Sequence, residues 1–278
     1  RIAYDQRAKK KRAFVNGTPL DRLSEMIGQF NAVLFSPEDV DLVLRDPSER
    51  RRLLDILVSQ SSSTYLSDLE QYRRTLSQRN HLLKSQGYRL QQDASALLPW
   101  DRQLSEVGAR IVHERVRTLD RMHEPLEGLY HSISPSDGCL TVVYRSPALR
   151  ETVDETSQAL VATMEAKRKD ETSIGHTLVG PHRDQVVFNL DSRPAHKFGS
   201  KGQMKSVLLA WKLSEAKFLN DRTGSQPVLL MDDIFSELDT KRANAVLSMI
   251  GDYGQSILAT ARDTDLDLGK CGYEIIDL

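Results

Sequence analysis

Pro227-Val-Leu-Leu-Met-Asp-Asp-Ile-Phe-Ser-Glu-Leu-Asp239 is the stretch from which the rest of the chain is read. The four apolar residues Val228 to Met231 follow a proline and suffice for a short strand buried on both faces. Two carboxylates, Asp232 and Asp233, come at once at its C-terminal end. In open α/β sheets that edge is where ligands bind. Adjacent acids there repel each other and are costly to desolvate unless a cation or a proton compensates. A Mg²⁺ held by one, with the other left to activate water, is one solution. Acids that are simply solvated, or that cap the next helix, are another.

Upstream, Phe198-Gly-Ser-Lys-Gly-Gln-Met-Lys-Ser206 is a Gly/Ser-rich turn running into a helix with Val207, Leu208, Trp211 and Phe218 as its apolar stripe. Ser200 and Gly202 open that helix, so backbone N–H groups and the helix dipole point outward and favour an anion such as phosphate. An ordinary N-cap at Ser200 explains the same residues. Taken in order, these stretches resemble the C-terminal half of an ABC-type ATPase head. The signature motif is Ser200, Gly202 and Gln203, the Walker B strand carries the acids, and Ser236-Glu-Leu-Asp239 is the D-loop.

Four further motifs narrow the resemblance. Leu34-Phe-Ser-Pro-Glu-Asp39, Arg50-Arg-Arg-Leu-Leu-Asp55, Gln78-Arg-Asn-His-Leu-Leu83 and Val179-Gly-Pro-His-Arg-Asp184 resemble, in this order, the RecF family of recombination proteins, over residues 1–278. That resemblance implies an α/β fold: an ABC-ATPase head with a P-loop NTPase-like sheet and an inserted helical lobe carrying a short antiparallel coiled coil. It divides the chain into the rest of ATPase lobe I (1–45), helical lobe II (46–174) and the C-terminal part of the head (175–278). ATP and Mg²⁺ are the implied cofactors. Asp232 would hold Mg²⁺ through water, and Asp233 would take the general-base place usually filled by Glu. Ser200, Gly202 and Gln203 would contact ATP on the partner subunit, with Ser236 and Asp239 beside it. Asp is one methylene shorter than Glu, so slow hydrolysis suited to a switch is expected.

The resemblance also implies partners and a place in the cell. These are single-stranded, gapped and double-stranded DNA, a second copy of the chain in an ATP-dependent homodimer, and the proteins RecR and RecO. The setting is the bacterial cytoplasm at the nucleoid, in recombinational repair, replication restart and the SOS response.

Three departures bear on this. No segment fits the Gly-x-x-x-x-Gly-Lys-Ser/Thr loop with which such proteins begin, and the chain starts at Arg1. A fragment lacking the first strand, the P-loop and its helix is therefore expected, with its sheet incomplete at the N-terminus and no ATPase activity alone. The inter-lobe loop carries Glu38 and Asp39 rather than Gln, and Thr260-Ala261 stands where a switch histidine is usual. A non-hydrolysing coiled-coil interaction protein with a vestigial acid pair is the alternative. A transporter ATPase subunit is disfavoured by the long helical hairpin.

Composition sets the bounds. The 278 residues carry a net charge of −1, so any nucleic-acid surface is a local patch. The two cysteines, Cys139 and Cys271, lack metal-ligand spacing and fit a reducing cytoplasm. No apolar run approaches the ~18 residues of a membrane helix, and the histidines show no zinc spacing. The local patch is Arg7-Ala-Lys-Lys-Lys-Arg12, five cations in six residues at the turn between two short strands. Lys9, Lys10, Lys11 and Arg12 read either as phosphate contacts or as a solvated hairpin tip.

Strands are expected at Ala32–Phe35, Cys139–Tyr144, Gln185–Leu190, Gln255–Thr260 and Tyr273–Leu278, and helices at Glu151–Lys169 and Lys241–Gly251. Ser36 and Asp46 read as helix caps, followed by Pro37 and Pro47. Arg50, Arg51 and Arg52 read as a solvated face or as phosphate ligands. Tyr65, Leu69, Tyr72, Leu76, Arg79 and Leu83 step 4-3-4-3-4, a coiled-coil seam with one arginine in it. The second arm runs through Trp100, Leu104, Val107 and Ile111, then Val112, Val116, Leu119, His123, Leu126 and Tyr130. The Gly180–Asp184 turn is either held for geometry by Gly and Pro or places Arg183 near nucleotide or DNA.

Overall fold

A computed structural model describes residues 2–5, 10–36, 39, 46–233, 238–260 and 274. At the N-terminal end β1 (Ile2–Asp5) pairs antiparallel with β2 (Lys10–Val15), from Ile2 opposite Ala13 to Asp5 opposite Lys10. The turn Asn16-Gly17, with φ of 48° and 84°, leads into β3 (Thr18–Pro19). Lys10, Lys11 and Arg12 therefore lie in a strand rather than at a hairpin tip. Lys9 lies outside the described residues.

The quoted stretch forms the centre of a parallel sheet ordered β4 (Ala32–Phe35), β8 (Val228–Asp232) and β9 (Ser256–Ala259). Leu34 stands opposite Leu230, and Leu230 opposite Ile257. Burial alternates instead of covering both faces. Val33, Phe35, Leu229 and Met231 are sealed in the core, whereas Leu34 and Ile257 are about half exposed, at 51% and 53%. The period-2 geometry of a strand sends alternate side chains to opposite faces, and the buried set joins the core that includes Leu208, Trp211 and Leu219.

A second, antiparallel sheet holds β5 (Leu140–Arg145), β6 (Gln185–Leu190) and β7 (Arg193–Pro194). The strand at 185–190 thus joins β5, not the parallel sheet; Leu140 pairs with Leu190 and Arg145 with Gln185. The last expected strand, Tyr273–Leu278, lies outside the described residues except for Glu274.

The helices follow their caps. Asp46 accepts from Ser48 N at 2.7 Å and opens α1 (Pro47–Ser61), with Pro47 at a position where no donor is needed. Then come α2 (Ser63–Gln92) and α3 (Leu98–Ile133). Thr152 and Glu155 form a capping box on α4 (Val153–Ile174), which ends at Gly175 in the left-handed region. The short α5 (Ala195–Phe198) precedes α6 (Lys201–Thr223), and α7 (Thr240–Ile250) follows the parallel strand β8.

The two arms do run antiparallel. Asp68 meets Arg110, Tyr72 packs on Gly108, and Arg79 meets Asp101, so contacts fall along α3 as they rise along α2. A third helix, α4, closes them into a bundle: Glu171 and Arg168 reach back to Arg79 and Asp101. The α2 seam holds, with Tyr65, Leu69, Tyr72, Arg79 and Leu83 buried. On α3 the seam departs from expectation. Met122 is buried and His123 is exposed, so the apolar positions run Leu119, Met122, Leu126, Tyr130. The heptad spacing gives way there because α3 also packs against β5 and α6.

Candidate functional site

At the end of β8, Asp232 is exposed and Asp233 half-buried. Asp233 takes a left-handed φ of 44°, and its N–H donates to Ala259 O at 2.8 Å. Aspartate is among the few residues that tolerate this conformation, because its short polar side chain bonds locally. The bend brings the pair to the end of β9, beside Thr260, with Asp232 opposite Ala259. Among the described residues no cluster of three or more His, Cys, Asp or Glu could hold a metal by itself. One or two carboxylates fit Mg²⁺ that arrives with phosphate oxygens and water, and do not fit an all-protein cage. Ser236 lies outside the described residues, as do Pro37 and Glu38. Asp39 donates its N–H to Ser36 O at 3.0 Å.

Ser200 caps α6. Its Oγ accepts from Gln203 N at 3.2 Å, and Gln203 Oε1 accepts from Ser200 N at 2.9 Å. This reciprocal box fixes both side chains at an exposed helix start, where backbone N–H groups and the dipole favour negative charge. A Cβ at Gly199 would stand 2.7 Å from Met204 Sδ and 2.8 Å from Ala195 O, so the chain can pass there only as glycine. From this start α6 runs through the core, buried at Val207, Leu208, Trp211 and Phe218 as the stripe requires.

Asp239 caps α7, with Oδ1 accepting from Arg242 N at 3.0 Å. That backbone donor, followed by the Arg242 guanidinium, holds the carboxyl below the usual carboxylate range. Arg242 also approaches Gly202: a Cβ at Gly202 would stand 3.0 Å from Arg242 Nη1. The structure therefore brings Ser200, Gly202, Gln203 and Asp239 into one neighbourhood, and Asp232 and Asp233 with Thr260 into another. Sequence reasoning missed Arg242. Its place three residues after Asp239 was legible as a first-turn pair, but its approach to Gly202 joins segments far apart in the chain.

The Gly180–Asp184 turn is built on buried polar contacts. Gly180 has φ +124°, and the Tyr72 hydroxyl fills the space a Cβ would need. Pro181 O accepts from Arg115 Nη1 at 2.7 Å, and Asp184 Oδ2 accepts from Tyr144 OH at 2.7 Å. Burial pushes the Asp184 carboxyl up, opposed by the Tyr144 hydrogen bond. His182 accepts from Tyr72 OH at Nδ1 (2.8 Å) and donates Nε2–H to Thr177 O (3.1 Å), the tautomer this network requires. Arg183 is exposed. Arg50 and Arg51, expected at solvent or phosphate, instead serve this region. Arg50 is 4% exposed and donates Nε to Val186 O at 2.7 Å, and Arg51 Nη1 donates to Asp184 O at 2.9 Å. Only Arg52 faces water, paired with Glu49 at 3.2 Å. Guanidinium donors withdrawn from water need acceptors, and the carbonyls at 184 and 186 supply one to each arginine.

A parallel sheet ending in an acid pair, a capped helix start and a long-helix insertion together define the fold of an ABC-type ATPase head. No protein-family model matches the chain. It is 36% identical over 271 residues to the DNA replication and repair protein RecF of Salinibacter ruber, covering 94% of this chain and 65% of the relative. The RecF protein of Herpetosiphon aurantiacus is 38% identical over 245 residues, covering 88% and 63%. That of Lactobacillus johnsonii is 36% identical over 271 residues, covering 96% and 71%. The solved structure of the recombination mediator protein RecF with ATP in the RecFOR pathway superposes with a TM-score of 0.81 at 32% identity, over 92% of this chain and 69% of the other. The chain belongs to the RecF family. It spans just under two thirds of the length of the Salinibacter and Herpetosiphon relatives.

Proposed function

We propose that this chain serves recombinational DNA repair and replication restart as part of an ATP-gated, DNA-binding homodimer that works with RecR and RecO. The observation that carries the reading is the capped, exposed start of α6, where Ser200, Gly202 and Gln203 present a helix N-terminus suited to phosphate. In this reading the turn meets the triphosphate of ATP bound to the partner subunit, with Ser236 and Asp239 beside it. Mg²⁺ supplies charge neutralisation on the phosphates. Asp232 would hold it through water, and Asp233, whose backbone is left-handed, would take a proton from the attacking water. Residues 1–45 and 175–278 form the ATPase head and 46–174 the helical lobe. Lys9, Lys10, Lys11 and Arg12 contact the DNA backbone. Among the described residues no helix is long and apolar enough to cross a membrane.

Ser200 separates this reading from a cap alone. Ser200→Ala removes one capping bond and costs about 1 kcal/mol of stability in either case. Ser200→Arg at an exposed helix start leaves the fold intact, yet fills the space where a partner's nucleotide would sit. With Mg-ATP at concentrations where the full-length protein dimerises, light scattering is expected to show the Ser200→Arg variant as a monomer that still binds ATP. A normal ATP-dependent dimer would leave Ser200 only its cap.

A further inference from the structure

Arg242 stands in the first turn of α7 and touches three other parts of the fold. Its backbone N–H donates to Asp239 Oδ1 and its Nη1 to Asp239 Oδ2, each at 3.0 Å. Nη2 donates to Asp137 Oδ2 at 2.5 Å, in the turn after α3. Nε donates to Ser134 Oγ at 3.1 Å, at the end of α3. From there the run continues inward: Ser134 Oγ donates to Ser206 Oγ at 2.7 Å, and Ser206 Oγ donates to Gly202 O at 3.2 Å. Ser134 and Ser206 are 3% and 0% exposed.

The polarity of this run is set by its last member. A carbonyl oxygen has no hydrogen to give, so Ser206 donates its one hydroxyl hydrogen to Gly202 O and must accept from Ser134, whose Oγ also accepts from the donor-only guanidinium. Buried hydroxyls linked in one direction strengthen one another, and reversing the Ser134–Ser206 bond would take the Ser206 hydrogen away from the Gly202 carbonyl. The fork is also needed. Lysine has one nitrogen and cannot meet Asp239, Asp137 and Ser134 from three nitrogens in one plane. Gly202 closes the circle, since a side chain there would press on the same guanidinium.

We infer that Arg242 is a positioning residue that clamps the Ser200–Gln203 turn to the Asp239 cap and to the end of α3, so that a phosphate group at that turn acts on the helical insertion through this guanidinium. The functional half rests on the proposed reading of the turn as a triphosphate site; the clamp itself does not.

The test uses the full-length protein with Arg242→Ala and Arg242→Lys, and two measurements. Without nucleotide, amide hydrogen exchange over residues 200–206 is expected to quicken about tenfold in both variants, the scale of one missing charge-assisted hydrogen bond, with α4 unchanged as internal control. With Mg-ATP, the affinity of the single subunit is expected to stay within about twofold while ATP turnover per dimer falls about tenfold. Lysine failing like alanine marks the fork rather than the charge as the working part. Unchanged exchange over 200–206 overturns the clamp whatever the nucleotide does. Faster exchange with normal turnover leaves Arg242 a structural residue and overturns its positioning role. A wild-type protein with no ATP-dependent association overturns the triphosphate reading and the positioning role with it, whereas a responsive wild type with normal variants overturns this inference alone.

Discussion

Arg79 Nε lies 2.7 Å from Asp101 Oδ1 in a pair sealed from water, both side chains being at most 3% exposed. The same guanidinium donates to Glu171 Oε2 at 2.7 Å and to Thr177 Oγ1 at 2.8 Å. One side chain on α2 thus ties α3, α4 and the segment leading to β6. Breaking a buried pair strands the partners' charges, at a cost of about 3–5 kcal/mol. Arg79→Ala is expected to lose that much in urea unfolding, and Arg79→Lys to recover little of it, because lysine cannot reach three acceptors at once. A loss below about 1 kcal/mol would place the bundle's stability in its apolar seam.

His182 predicts an acid-side loss of stability. Burial first, then nearby Arg183, Arg51 and Arg115, push its pKa down to about 4 against a hydrogen bond to Thr177 that pulls it up. The unfolded chain takes up a proton near pH 6.5, as free histidine does, while the folded protein resists until about pH 4. His182 stabilisation is therefore complete above pH 6.5 and is lost between 6.5 and 4, by about 3 kcal/mol. Asp184, whose pKa is raised by burial, works in the opposite direction as pH falls. Comparing wild type with His182→Asn isolates the histidine, and the variant is expected to show a flatter fall of stability across that window.

Asp233→Asn is the clean probe of the proposed base. Asparagine tolerates the left-handed backbone at φ 44°, so shape is kept while the proton acceptor is removed. ATP binding is expected to persist, hydrolysis to slow by about a hundredfold or more, and the dimer to live longer. Hydrolysis at the parental rate would remove Asp233 from that role.

Replacing Lys9, Lys10, Lys11 and Arg12 with alanine is expected to weaken DNA binding by the full-length protein. The slope of log affinity against log salt should flatten by about 0.9 for each phosphate that the protein no longer neutralises. An unchanged slope puts the DNA surface elsewhere.

Much of the fold was legible because it is local. Asp46 and Ser200 announce helix starts, and each accepts the expected backbone donor. The 4-3 spacing from Tyr65 to Leu83 found the α2 seam, since side chains three and four apart share a helix face. At the candidate site the acid pair and the Ser200 turn were both visible as residue types in sequence order.

Other features depended on partners distant in the chain. Whether an arginine lies in water or in the core is set by which carbonyls and carboxylates meet it. For Arg50 that partner is 136 residues away, and for Arg79 the carboxylate of Glu171 is 92 away. His123 yields its place to Met122 because α3 serves β5 and α6 as well as α2. The strand at 185–190 pairs with β5 rather than β8, a choice between sheets that its alternating pattern leaves open. The sequence by itself determined the acid-ended strand, the caps and the helical arms, because backbone periodicity and capping are short-range. Only the tertiary structure decided that Arg242 joins Gly202, Ser134 and Asp239, because a guanidinium's partners are chosen by whatever acceptors the folded chain brings within its reach.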